Sequence, residues 1–427
     1  MKKSLFIFLL FSPLLLVAQD TLLYMQYNLL NYGNYTSYCT TSNNNINNKD
    51  TYLQTIFSYI RPDILTVNEM AGSNTTAQRL LYNTLNCNGT TIYSKADYVN
   101  TNGSDLVSAL YYNNLKIGIV NQYTIPTTYR DILIYKLFYK SPQLAVNHDT
   151  IFFVVIAAHL KAGSSTSDMQ ERAFETTALM NYLGSHSLHA NRIVSGDFNL
   201  YGVSEQAYQN LINHSNTNIR FYDPVNKAGE WNGNSFYAPY HTQSTHTYSN
   251  DCFASGGLDD RFDFILVSQS IMNGIQQVQC LPQTYKAIGN DGLHFNDAII
   301  DYPVNNNVPS NVLDALYNMS DHLPVTMKIK INPPGTGIDN PREINSFGIN
   351  FSNPVQESLS IKIQTPSTRQ LEIKILAITG QEFFTKKTNA NPGENLLIFS
   401  VSSLKKGIYL LKVSDGRNIL VKKLVKE

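Results

Sequence analysis

The hydrophobic runs of this chain share one habit that limits what it can fold into: they end on an amide, an acid or an imidazole. Leu22–Tyr27 runs into Asn28, Ile64–Val67 into Asn68-Glu69, Ile151–Ala158 into His159, and Arg192–Ser195 into Gly196-Asp197-Phe198-Asn199. Phe262–Val267 carries Asp263 near its start, and Val325–Ile331 follows Asp321-His322. Runs this short and rich in β-branched residues read as buried strands. Strands whose ends share one rim of a sheet collect residues that lie far apart in sequence. Leu106–Tyr112 and Ile132–Tyr139 alternate as further strands.

Helical spacing appears between the strands. Leu53, Ile56, Phe57 and Ile60 recur after Asp50, an expected N-cap, and Pro62 stops the run. Ser167–Gln170 resembles a capping box that opens a helix through Leu183, with Gly184 at its end. Strands interleaved with helices predict an α+β fold, a four-layer sandwich of two mixed β-sheets flanked by helices. With 43% hydrophobic and 15% charged residues, the chain has the material for such a core.

Residues 332–341, opening on Asn-Pro-Pro-Gly-Thr-Gly, lack periodicity and read as a linker. Beyond them, residues 342–427 change to short alternating strands at Leu359–Ile363, Leu371–Ile378, Leu396–Phe399, Ile408–Val413 and Ile419–Leu424. Thr379-Gly380, Pro392-Gly393 and Asp415-Gly416 supply turns, so a small all-β sandwich is expected. The first residues, 1–18, have the form of a signal peptide. Lys2 and Lys3 precede an apolar Leu5–Leu16 stretch and a cleavage context ending at Ala18. That stretch is short for a membrane anchor, and no stable membrane insertion is expected.

Charge is unevenly spread. Residues 20–332 hold 17 basic against 24 acidic residues, a net −7, while 333–427 hold 13 against 8. The acidity of the larger segment argues against strong non-specific adhesion to nucleic acid by charge alone and is compatible with a site that needs cations. Export favours disulfides among Cys39, Cys87, Cys252 and Cys280. The sequence-local pairs Cys39–Cys87 and Cys252–Cys280 are expected among three connectivities, with free buried thiols as the alternative.

Tyr27-Asn28-Leu29, RPDILTVNEM, AAHLKAG, VSGDFN, DRFDFILVS and MSDHLPV occur in the order found in the endonuclease/exonuclease/phosphatase superfamily. Residues 21–331 thus resemble deoxyribonuclease-I-like nucleases, sphingomyelinases and inositol-polyphosphate phosphatases. The resemblance implies hydrolysis of phosphodiester bonds with Mg²⁺, or Mn²⁺ or Ca²⁺, as cofactor. It assigns Glu69, Asn28 and Asp321 to the metal, a hard-oxygen set suited to such ions. Asp197 and Asn199, two apart on an extended turn, would orient water and hold either a phosphate oxygen or the Asp197 carboxylate itself. Asp263 and His322 resemble the family's acid–imidazole pair, in which the carboxylate fixes the tautomer and raises the basicity of a ring that serves as general base or as cationic phosphate clamp. His159 matches a second family histidine, a candidate for stabilising the pentavalent phosphate or assisting the leaving group. Tyr111, Lys161 and Arg261 are candidates for phosphate contact, with core packing for Tyr111 and solvated charge for Lys161 and Arg261 as the alternatives. Leu30 stands where some family nucleases carry an acid, which places more of the metal's affinity on Glu69. The remaining histidines, His148, His186, His189, His214, His241, His246 and His294, are expected to be structural or superficial.

The tail resembles the C-terminal sorting domain of type IX secretion, on Asn353-Pro354, LAITGQEF, LKKGIYLLKV and the VKKLVKE ending. That implies the type IX secretion machinery as a partner and export across both membranes of a Gram-negative cell, to the medium or the cell surface. The leading expectation is a secreted, metal-dependent nuclease acting on DNA or RNA. The alternatives are a sphingomyelinase-like or small-molecule phosphodiesterase, and a non-catalytic surface-binding protein. An exposed aromatic hairpin would mark the lipid reading, and the aromatics of Trp231–Tyr240 do not clearly form one.

Overall fold

A computed structural model describes residues 20–141, 150–332, 348–365, 368–377, 379–415 and 419–427. The expected signal peptide, most of the linker and His148 lie outside them. The chain divides into two compact units, Met1–Pro333 and Pro334–Glu427.

In the larger unit, β1 (Asp20–Tyr32), β2 (Ile64–Ala71), β3 (Tyr93–Lys95), β4 (Leu106–Asn113), β11 (Val278–Ala287) and β12 (Val325–Ile331) form one sheet, ordered β11-β12-β1-β2-β4-β3. The second sheet is ordered β5-β6-β7-β8-β10-β9, from β5 (Ile117–Ile125), β6 (Ile132–Tyr139), β7 (Ile151–Ala157), β8 (Arg192–Asp197), β9 (Phe221–Tyr222) and β10 (Asp263–Ser268). Each sheet is mixed, with one parallel pair at its centre, β1 with β2 and β7 with β8, and antiparallel neighbours outside. Strands buried on both faces read as continuous apolar runs, which is why these central strands were legible.

Leu22, Tyr24 and Ile64 meet Phe153, Val155, Ile193 and Ile265 between the sheets. The outer face of the first sheet, with Met25, Tyr27, Leu65 and Val67, packs on α1 (Ile46–Ile60), α2 (Asn74–Leu80) and α6 (Ser310–Met319). The outer face of the second sheet packs on α3 (Thr166–Ser185) and α4 (Gln206–Ile212). The layers are therefore helix, sheet, sheet, helix. The short α5 (Gln269–Asn273) follows β10.

Two caps differ from expectation. Asn45, not Asp50, caps α1, and Asp50 instead accepts hydrogen bonds from Tyr32, Arg79 and Asn83. The capping box of α3 is formed by Ser165 and Asp168, two residues before the expected one, and the helix runs on to Ser185. In both cases a short polar run offers several capping oxygens, and packing selects among them.

The C-terminal unit holds a three-stranded sheet, β13-β14-β17, and a four-stranded one, β16-β15-β18-β19. Its strands are β13 (Gly348–Phe351), β14 (Ser358–Thr365), β15 (Arg369–Ala377), β16 (Glu382–Ala390), β17 (Gly393–Ser400), β18 (Gly407–Ser414) and β19 (Ile419–Lys426). In β14 every second residue is buried, as its alternation requires. The sequence missed β16, whose EFFTKKTNA stretch does not alternate and is mostly exposed. No helix among the described residues is long and apolar enough to cross a membrane.

Candidate functional site

Side chains two apart on a strand share a face, and along the inner faces of the central strands they grade from apolar to polar. On β1 the series is Leu22, Tyr24, Gln26, Asn28, and on β2 it is Ile64, Thr66, Asn68. On β8 it is Ile193, Ser195, Asp197, and on β7 Val155 and Ala157 lead to His159. Polar pairs mark the transition: Tyr24 Oη lies 2.7 Å from Ser195 Oγ, and Thr66 Oγ1 2.9 Å from the same atom. Asn68 then bridges the sheets. Its Oδ1 accepts from the Asp197 amide at 2.8 Å, while its Nδ2 donates to Ser108 Oγ and the Ala158 carbonyl. That approach needs Gly196, at φ +154°, because an added Cβ would sit 1.6 Å from the Ala158 oxygen.

Above this gradient the expected residues converge. Asn28 Nδ2 donates to Glu69 Oε1 at 3.1 Å and to Asp197 Oδ2 at 2.9 Å, and lies 3.4 Å from His322 Nε2. His159 Nε2 is 3.7 Å from Glu69 Oε1 and 3.6 Å from Asp197 Oδ2. His322 Nδ1 meets Asp263 Oδ2 at 2.7 Å, and its Nε2 faces Asp197 Oδ2 at 3.7 Å. Asp321 Oδ2 accepts from the Ala254 amide and from Gln243 Nε2. Asn199 holds the turn, its amide N–H on Asp197 Oδ1 and its Nδ2 on the Leu160 carbonyl. Glu69 and Asn199 sit at φ +57° and +50°, conformations that non-glycine residues adopt at a cost.

Glu69, His159 and Asp197 offer ligand atoms that all lie within 4.8 Å of one another, a spacing at which one cation can bridge them. The donor chemistry fits a divalent ion. Both ring nitrogens of buried His159 lack a hydrogen-bond partner, as does Asp321 Oδ1. Among the described residues, only imidazoles lie within ion-pair distance of the Glu69 and Asp197 carboxylates. Burial raises the Asp197 pKa to about 7, with the Asp263 and Glu69 charges adding to it against His322 and Asn28. Burial likewise raises Asp321 and holds His159 well below the ordinary histidine value, so that ring is neutral and free to ligate. At His322 burial opposes the cation, but Asp263 and Asp197 outweigh it and raise the pKa well above its ordinary value. Gln243 Nε2, 2.7 Å from His322 Nε2, favours instead the neutral ring that accepts its hydrogen bond. Positive charge among the carboxylates would shift the balance the same way.

Four expectations are corrected. Asn28 turns its amide oxygen to the Leu30 N–H at 2.9 Å and gives the Glu69 and Asp197 carboxylates its N–H, so the oxygen expected to face a metal is turned away from them. Tyr111 projects to the outer face of its sheet, where its buried hydroxyl donates to the Ala77 carbonyl. Arg261 is buried and clamped on Asp223 at 2.6 Å, stacked over Phe264, away from the cluster. The disulfide joins Cys39 to Cys252 across 213 residues, while Cys87 and Cys280 are free. The loops after β1 and before β10 meet at the rim of the site, and that juxtaposition decides the pairing. Lys161 lies two residues beyond His159 but spends its ammonium on Asp168 at 2.8 Å. Within Trp231–Tyr240, Trp231 is fully buried with its indole N–H on the Leu200 carbonyl and Tyr237 is buried, while Phe236 is exposed on a short helical turn, not a hairpin.

Asn68, Gln243 and Lys49 were missed. The first was legible, since Thr66 and Asn68 interrupt ILTVNEM with period two. Lys49 is buried, with its ammonium on the carbonyls of Leu29 and Leu30 where the chain turns through φ +41° and +50°. Its desolvation lowers the pKa to about 7, and no sequence pattern marks it.

Residues 351–427 match the family model of the secretion system C-terminal sorting domain. The chain therefore carries a sorting domain at its C-terminal end. No curated protein sequence matches the chain. Among solved structures, it is similar to D. rerio TDP2 complexed with single strand DNA product, at 13% identity over 73% of this chain and 99% of that one, TM-score 0.46. The human Nocturnin catalytic domain with bound sulfate gives 17% identity over 73% and 97%, TM-score 0.46. An endonuclease/exonuclease/phosphatase family protein from Bacteroides thetaiotaomicron gives 15% over 75% and 99%, TM-score 0.45.

Proposed function

We propose that the larger unit is a divalent-metal-dependent phosphodiester hydrolase of the endonuclease/exonuclease/phosphatase type, acting outside the cell as a nuclease. The observation that carries the reading is the convergence of Glu69, His159 and Asp197 within 4.8 Å, beside the Asp263–His322 pair. Glu69, His159 and Asp197 would hold the cation, and Mg²⁺ suits the two carboxylates. When bound, a divalent cation offsets charge that builds on the non-bridging oxygens of the scissile phosphate.

The chain's own groups do the rest. Asp263 fixes His322 with Nδ1 protonated, leaving Nε2 to take a proton from the attacking water. Asn28, touching Glu69, Asp197 and His322 together, keeps ligands and base in register. Asn199 fixes the Asp197 rotamer. The four-layer framework holds these groups on strand ends, so little reorganisation is needed on substrate binding. The sorting domain supports export through the type IX machinery, with the medium or cell surface as destination.

The test is turnover by purified protein of plasmid DNA, RNA, sphingomyelin and bis(4-nitrophenyl) phosphate, with Mg²⁺, Mn²⁺, Ca²⁺ or EDTA. Cleavage of nucleic acid that EDTA abolishes is expected. Cleavage of sphingomyelin alone would replace the nuclease reading, and inertness toward every diester would remove the hydrolase one.

A further inference from the structure

The Cys39–Cys252 disulfide welds two loops beside the cluster, and both present tyrosines to solvent. Tyr38 is 68% exposed and Tyr248 85%, and neither ring stacks on another side chain among the described residues. One amide ties their backbones together: Asn43 Nδ2 donates to the carbonyl of Tyr38 and to that of Asn250, both at 2.8 Å. The assembly is anchored to the site at both ends. On one side Asn34 bonds back to Asn31, whose N–H holds Glu69 Oε2 at 3.1 Å. On the other, Ala254 lies two residues past Cys252, with its N–H on Asp321 and its carbonyl on Ser244, next to Gln243.

The chemistry of these loops narrows the occupant. Residues 33–45 and 242–257 contain no Lys or Arg and no exposed aliphatic side chain, but many Asn, Ser and Thr. A loop that enters a lipid interface needs Leu, Phe or Trp with basic neighbours. A surface that grips the nucleic acid backbone by charge needs Lys and Arg. Exposed aromatic rings among hydrogen-bonding side chains are what unstacked bases require, because a base–ring stack stabilises without regard to sequence. In a duplex the bases already stack on one another, so their faces are closed to such rings.

We infer that the disulfide-clamped loops form a stacking platform, with Tyr38 and Tyr248 holding bases of a single-stranded nucleic acid whose phosphodiester enters the cluster. This rests on the nuclease reading of the site and deepens it, from nucleic acid to single strands. It also supplies binding where the acidic unit lacks electrostatic attraction.

Equilibrium binding of a fluorescein-labelled oligothymidylate to the full chain in EDTA tests the platform without turnover. Tyr38→Ala and Tyr248→Ala are each expected to weaken binding on the order of tenfold. Tyr→Trp at either position should restore it, and the wild-type affinity should depend only weakly on salt. A duplex of the same length should bind more weakly. Unchanged oligothymidylate affinity in the double alanine variant would overturn the inference, as would duplex binding as tight as single-strand binding. Sedimentation of wild type, but not the double variant, with phosphatidylserine–phosphatidylcholine vesicles, together with no oligonucleotide binding, would assign the loops to a membrane. Hydrolysis of bis(4-nitrophenyl) phosphate by wild type reports separately on the cluster, so a failed platform and a failed active site give different results.

Discussion

The two units bury different things. The larger one sequesters more than thirty polar or charged side chains, whereas in the C-terminal unit only Thr365 is a buried polar residue among those described. The tail's core is Leu359, Ile361, Ile363, Leu371, Ile373, Ile375, Leu411 and Val413 with their neighbours. A buried carboxylate destabilises a fold unless it is paired, and the larger unit keeps several that share two imidazoles and the side-chain amides of Asn28 and Gln243. A domain read by other proteins is read at its surface and can keep a dry core. A domain that performs chemistry carries strain and desolvated charge at the place where it acts.

Breaking the polar cluster should therefore cost turnover, and breaking the dry core should not. Asp197→Ala and His322→Ala are each expected to lower kcat/KM by about 10³-fold or more while the fold persists, measured on nucleic acid with Mg²⁺. Near wild-type turnover in either folded variant would remove that residue from the mechanism.

Asp263→Asn should cost about 10²-fold and also move the pH profile. Asp263 holds the His322 pKa up, and a base must be deprotonated, so the carboxylate sets the limb on which kcat rises with pH higher than the ring alone would. Without that carboxylate the limb should move to lower pH. A limb that stays in place would mean that another group is the base.

The Cys39→Ser/Cys252→Ser variant sharpens the contrast, because the disulfide joins loops that touch Glu69 at one end and Asp321 at the other. A loss of about 2–5 kcal/mol is expected in denaturant unfolding of the larger unit, with turnover down about tenfold through looser ligand positions. Turnover equal to wild type would show that the clamp serves stability alone.

Smaller effects lie in stability against pH. Burial raises Asp197 from its ordinary 3.8 to about 7, so the folded state binds that proton more tightly than the unfolded one. Its contribution is lost as pH rises between those values. A divalent cation replaces the proton, so the stabilisation on adding Mg²⁺, read as a rise in Tm, should be larger at pH 8 than at pH 5 and amount to about 2–3 kcal/mol at roughly a hundredfold excess over Kd. A shift independent of pH would place the ion elsewhere. Smallest on activity is Leu411→Ala, which should destabilise the C-terminal unit by about 2–5 kcal/mol and leave turnover within twofold of wild type. An equal loss of turnover would mean that the two units are energetically linked.

Local periodicity and strand-end chemistry made much of this legible. The alternation in SLSIKIQT defines β14 without any partner, and ILTVNEM and IVSGDFN announce strands that end in acids. The missed and corrected residues share one property, that their meaning depends on what comes to meet them. Arg261 stands beside a site strand and pairs with Asp223. Tyr111 lies one position from facing the other side of its sheet. Lys49 has its role only because β1 turns over its ammonium.

By itself, then, the sequence determined two kinds of unit, the strands and faces within them, and the residue types delivered to one rim, because side-chain direction repeats every two residues along a strand. Only the tertiary structure decided that Cys39 finds Cys252, that Asn28 gives N–H and not oxygen, and that Gln243 reaches His322. The disulfide and the contacts of Asn28 and Gln243 with His322 join segments far apart in sequence, fixed by sheet order and loop packing, and no local pattern encodes which segments meet.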